Sequence, residues 1–195
     1  MTRFDDAIAR IDAANADDPN TLVVDGVERP KEQAHAELMT EWVHRFDPDA
    51  TEAQLLAARA HHLRRWALPR DSEPEGRAGY LRWRTKLKAR HADEVGAILT
   101  AVGYDEATIG TVQRIIRKEG LAKDPAVQVH EDALCVVFLL TQSLDLAAQL
   151  GEDHTVEVLR KTLKKMSPAG IAAAQGLGLP AAVNALLQRA VVSAP

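Results

Sequence analysis

Apolar residues recur along most of the chain at intervals of three and four, the period of a helix with one buried face. Phe4, Ile8 and Ile11 predict a first helix that closes ahead of Asp18-Pro19. Residues 21–27, TLVVDGV, are the one β-like stretch, with a turn signal at Asp25-Gly26; too short for a sheet, they predict a loop or minor ribbon near 21–28. Pro30 suits the first turn of a second helix running through Met39, Trp42 and Val43 to Phe46, where Asp47-Pro48-Asp49 breaks it. A third helix is predicted from Thr51-Glu52 to about Leu68, stopped by Pro69. Residues 69–79 form the longest loop, and 80–102 a long helix ended by Gly103. Asp105 caps a helix reaching Gly120, and Asp124-Pro125 opens a segment leading into an apolar helix over about 131–150. Residues 152–165, 168–176 and 180–192 supply the last three. Short connections between about nine helices predict an all-α, compact multi-helix bundle. The expected organisation is a single domain over 1–195, with a core at about 3–165 and a helical cap at 166–195.

Composition agrees. The chain of 195 residues is 46% hydrophobic, 27% charged and only 4% aromatic, so its core is built mainly from Leu, Ala, Val and Ile. No apolar run approaches the length of a membrane span. The single cysteine, Cys135 in the apolar run 133–140, cannot form an internal disulfide, and the first ten residues do not read as a signal peptide. A cytoplasmic protein with no membrane contact is expected. The net charge of −4 argues against bulk nucleic-acid binding. Charge is uneven, however: ten basic residues between 59 and 90, interleaved with Trp66, Tyr80 and Trp83, suit a small anionic ligand or a short stretch of RNA backbone.

Candidate chemistry lies on three predicted helices. Arg59, His62 and Trp66 share a face of the third, with Arg65 beside them, and Tyr80, Arg84, Leu87 and His91 align on the fourth. Glu131 and Asp132 stand next to the most apolar helix of the chain, where unpaired charge is costly. Side chains from facing helices of a bundle commonly build metal sites. His35, His62, His91 and Asp132 are therefore candidate ligands for a divalent ion (Mn, Fe, Zn or Mg), with Glu131, Asp132 and His62 as candidate catalytic groups. Arg59, Arg65, Trp66, Tyr80, Trp83, Arg84 and Lys118 would bind an anionic substrate.

Two resemblances bear on this. His35, then His61-His62 in AHHLRRW, then Asp132 in HEDALCVVF resemble the ligand order of the HD superfamily of metal-dependent phosphohydrolases, although His62 occupies the place of that family's paired Asp. The resemblance implies an HD-like helical fold and a metal-dependent hydrolase. More extensively, FDDAIARIDAANADDPNT, VDGVERPKE, AARAHHLRRWALPR, GRAGYLRWR, GYDEATI, EDALCVVFL and LRKTLKKMSP resemble the domain of unknown function 4202 family from Phe4 to about Pro180. Proteins of this type are often labelled glutamyl-tRNA synthetase. That activity is not expected here, because neither a Rossmann-type pattern nor a HIGH-like segment is present, and Ser167-Pro168 reads as a helix start. The expected function is hydrolysis of a small phosphorylated or nucleotide-like substrate by a metal-dependent site in a helical pocket. The alternative is a non-catalytic RNA- or protein-binding module using residues 59–90.

Overall fold

A computed structural model describes residues 2–24 and 26–192; among them lie ten α-helices, two 3₁₀ turns and one two-stranded ribbon. The class is all-α with a minor β element, as the periodicity predicts. The chain divides into two compact units, Met1–Gly120 and Leu121–Pro195.

The first unit opens with α1 (Arg3–Ala16), started by a capping box in which Thr2 and Asp5 exchange hydrogen bonds. Its buried stripe is Ala7, Ile11 and Asn15, each four residues from the last. Strands β1 (Thr21–Val24) and β2 (Val27–Pro30) pair antiparallel with Val24 opposite Val27. Gly26 carries the positive φ of 78° that the tight turn demands, whereas Asp25, the other half of the turn signal, lies outside the described residues. Helix α2 (Lys31–Phe46) follows directly. Pro30 offers no side-chain cap, and the carboxylate of Asp18 does so from a distance, accepting the Glu32 N–H at 2.9 Å.

Helix α3 (Glu52–Arg59) starts on a Thr51/Gln54 capping box and is shorter than the pattern predicts. The expected continuation to Leu68 does not form. Residues 60–64 turn instead, and Arg64 adopts the left-handed conformation at φ 49°. A tertiary contact holds the turn: the buried Oδ1 of Asn15 accepts the Arg64 N–H at 2.9 Å. Two 3₁₀ turns, Arg65–Ala67 and Arg70–Ser72, complete the segment.

Helix α4 (Gly76–Val102) begins four residues before the predicted Tyr80 and ends, as predicted, at Gly103. Three of its side chains donate to carbonyls of the preceding segment: Trp83 Nε1 to Leu68 at 3.0 Å, Arg90 Nη1 to Ala67 at 3.2 Å, and His91 Nδ1 to Leu63 at 2.8 Å. The loop comes so close to the helix that a Cβ at Gly79 would lie 1.8 Å from the Pro74 carbonyl oxygen. Helix α5 (Glu106–Arg117), capped by Asp105, packs on α4 and α3. Ile11, Met39, Leu56, Leu63, Leu99, Ile115 and Ile116 are fully buried in this unit.

The second unit comprises α6 (Pro125–Thr141), α7 (Ser143–Leu150), α8 (Glu152–Leu163), α9 (Pro168–Gln175) and α10 (Ala181–Val192). The helix predicted across 131–150 is two helices, bent by 63° at Gln142. Among the described residues no single helix is long and apolar enough to cross a membrane.

Candidate metal centre

The shortened α3 decides the chemistry of the first unit. Were the helix to continue, Arg59, His62 and Trp66 would lie along one face. Because it stops at Arg59, His61 and His62 ride on the turn and fold back towards α2. The His62 ring stacks on His35 with centroids 4.3 Å apart, and the His61 ring lies 4.5 Å from His62. His91, from α4, approaches with its ring 6.0 Å from that of His62. Four imidazoles from α2, the turn and α4 thus cluster in one place.

Glu32 joins them. It stands three residues before His35, on the same face of α2, and is only 4% exposed. Its Oε2 lies 3.1 Å from His62 Nδ1. One ligand atom from each of Glu32, His35 and His62 falls within 4.8 Å of the other two, so this buried group could hold a metal ion. Unsatisfied polar atoms point the same way. Both ring nitrogens of His35 and Nε2 of His91 are buried without a hydrogen-bond partner, a cost of about 1–3 kcal/mol per group; an ion could take up one lone pair on each ring.

Electrostatics keeps the imidazoles ready to donate those lone pairs. Burial pushes His35 down to about 3, with the charges of Arg65 and Lys31 acting in the same direction. Burial likewise holds His91 at about 4 against the opposing hydrogen bond to Leu63, and drives His62 well below the ordinary imidazole range. All three are neutral at pH 7. Burial raises Glu32 to about 7, opposed by Arg65. Near neutrality its carboxylate accepts the Nδ1–H of His62, and its acid form donates to Nδ1 in the other tautomer.

Arg65 is the cation that bears on every one of these groups. Its guanidinium lies 5.3 Å from the centre of the Trp83 ring and forms no ion pair among the described residues. The other basic candidates are differently placed. Arg59 is committed to Asp12 through two bonds of 2.6 and 2.7 Å, and its Nη2 is 3.6 Å from Glu37. Arg84 rests on exposed Tyr80, its Nη1 donating to the phenol oxygen at 3.4 Å. Lys118 is the half-buried, left-handed C-cap of α5. Trp83, 7% exposed, is a core residue and Trp66 is half-buried. Elsewhere in 59–90, Arg82 and Lys86 both bind the buried Glu73, and Arg90 pairs with Glu94 at 2.7 Å.

The structure therefore brings together His35, His62, His91 and Arg65 of the candidates named from sequence. Glu131 and Asp132 belong to the second unit and are 1% and 2% exposed. Asp132 accepts from Ser167 N at 2.8 Å, Ser167 Oγ at 2.5 Å and Gln128 Nε2 at 3.1 Å, so its carboxylate serves the start of α9. Glu131 Oε1 lies 3.8 Å from Lys165 Nζ.

Glu32 was not among the residues singled out from sequence. The signal was present: Glu32, Ala36, Met39 and Val43 follow the helical stripe, placing a carboxylate on the buried face of α2 beside His35.

Residues 5–187 match a family model described as a domain of unknown function, DUF4202. The chain belongs to that family. No curated protein and no solved structure matches it. The DUF4202 match spans both units, so the histidine cluster and the Asp132–Ser167 junction are both inside the family domain.

Proposed function

We propose that this DUF4202 chain is a metal-dependent hydrolase of small phosphorylated or nucleotide-like substrates, with its metal centre at Glu32, His35 and His62. The observation that carries this reading is the buried two-imidazole, one-carboxylate group whose donor atoms lie within 4.8 Å of each other. The imidazoles favour a first-row transition ion such as Mn, Fe or Zn over Mg, which prefers oxygen ligands. When bound, such an ion would acidify a water molecule and polarise a phosphoryl oxygen.

The chain's own groups have distinct parts. Neutral His35 and His62 offer lone pairs without first losing a proton, and Glu32 gives up its proton to bind as a carboxylate. Arg65, half-buried and in no ion pair among the described residues, would hold the anionic substrate and offset charge developing on the phosphoryl oxygens. Trp83 and the carbonyl contacts to α4 keep the Arg65 segment in register with the imidazoles.

The same donor set also serves non-haem Fe(II) oxygenases, and oxygen uptake by the Fe(II)-loaded protein would favour that chemistry. The RNA- or protein-binding alternative draws less support, because Arg59, Arg82, Lys86 and Arg90 are paired within the first unit.

The test is elemental analysis of the full chain purified without a histidine tag, followed by assays on phosphomonoesters, phosphodiesters and nucleotides with Mn, Fe, Co, Ni, Zn or Mg. One ion per chain and turnover lost in His35→Ala support the reading. In Arg65→Ala, KM should rise roughly tenfold or more, the effect of losing a charged substrate contact. Protein that retains no ion and turns over no substrate with any of these metals overturns it.

A further inference from the structure

We infer that His91 is a fourth protein ligand of this centre, making it a site of three imidazoles and one carboxylate. The inference rests on the metal reading above and extends it to α4.

The argument starts from the two nitrogens of the ring. Nδ1–H donates to the Leu63 carbonyl at 2.8 Å, which fixes the tautomer and leaves Nε2 with its lone pair exposed to the protein interior. That nitrogen is buried and has no hydrogen-bond partner, in a residue only 3% exposed. A ring NH tied to a backbone carbonyl while the opposite nitrogen stays bare is the arrangement by which proteins orient a ligating histidine. The ring stands 6.0 Å from His62, on the side of the cluster formed by α4. A purely structural histidine would be expected to satisfy both nitrogens at this depth.

The carbonyl that His91 holds belongs to Leu63, next to His62 in the chain, so one ring both positions the turn that carries a ligand and offers a donor of its own. His91 lies outside the 4.8 Å set in this conformation, so its participation links α4 to a centre otherwise built from α2 and the turn. Four protein donors leave two positions on a six-coordinate ion, enough for a water and one substrate oxygen. They also narrow the choice of ion to the transition series.

Cobalt(II) titration of the full chain, followed by visible absorption and calorimetry, tests this with His91→Asn and His91→Ala. The Asn amide can still donate to the Leu63 carbonyl but lacks the distal nitrogen, so it separates ligation from support of the turn; circular dichroism checks folding. Wild type should bind one Co(II). His91→Asn, folded, should bind roughly tenfold or more weakly with an altered spectrum, and added imidazole should recover binding in His91→Ala. If His91→Asn matches wild type in both affinity and spectrum, His91 is not a ligand and the three-residue centre stands without it. If wild type itself binds neither Co(II) nor any other ion of the panel above, both this inference and the metal reading fall.

Discussion

Nδ1 of His62 lies 3.1 Å from Oε2 of Glu32, a contact between a turn and the first turn of a helix thirty residues earlier. A tertiary hydrogen bond anchors the backbone at or near each residue. The Asp18 carboxylate fixes the backbone of Glu32, and Asn15 fixes the backbone of Arg64 two residues after His62. Both anchors come from α1 or the residues just after it, so the N-terminal segment sets the geometry of the candidate centre.

Glu32→Gln should separate stability from metal binding. Burial raises the carboxyl to about 7, so below the ordinary carboxyl value of 4.5 the protonated form costs nothing extra, and the penalty grows as pH rises through 7. In the metal-free protein at about pH 8 the amide is expected to stabilise the fold by about 1–3 kcal/mol. Affinity for a divalent ion should fall by roughly tenfold or more. Urea unfolding in the presence of chelator reads the first effect and calorimetry the second; a variant less stable than wild type at pH 8 would contradict the assignment.

The metal-free protein should lose stability as pH falls below the ordinary imidazole value of 6.5. Folded His35 is held near 3, His91 near 4 and His62 well below 6.5, whereas the unfolded chain takes up protons at 6.5. The unfolded state therefore binds more protons in this range, which favours unfolding as acid is added. Glu32 opposes the trend, since between 4.5 and about 7 its folded form holds the extra proton. Three imidazoles outweigh one carboxyl, leaving a shallow maximum near neutrality and a decline towards about pH 4. Urea midpoints measured from pH 4 to 8 would show it, and a flat profile would mean the imidazoles are not buried in neutral form.

Asn15→Ala removes the buried side chain whose Oδ1 accepts the Arg64 N–H. A loss of about 0.5–1.5 kcal/mol in stability is expected from the lost bond, together with weaker metal binding as the 60–64 turn loosens. If metal affinity is unchanged while stability falls, the turn does not depend on this bond to place His62.

In the second unit, Asp132→Ala leaves Ser167 N and Oγ without their acceptor at the start of α9. Thermal unfolding should report a loss of about 1–3 kcal/mol, and Ser167→Ala a smaller one, since only the hydroxyl contact and the N-cap are then lost. Equal stability of Asp132→Ala and wild type would remove Asp132 from that structural role.

Several elements are determined by residues close together in sequence. Thr51 with Gln54, Asp105, Ser167-Pro168 and Gly103 mark helix ends where the pattern predicts them, because a cap needs only its own first or last turn. The all-α class and the ribbon near 21–28 were legible for the same reason: helical period and turn chemistry are local. The end of α3 at Arg59 was not. Residues 60–68 carry a helical pattern, but Asn15, Trp83, Arg90 and His91 bind the backbone of that segment from other elements and outweigh its local preference. That same override turns His61 and His62 back onto α2 and places them beside Glu32. Which arginine remains available was equally a tertiary matter, since Arg59 and Arg65 look alike in sequence until Asp12 and Glu37 engage the first. Local spacing specified the helices and the donors, whereas hydrogen bonds between distant residues decided which donors meet.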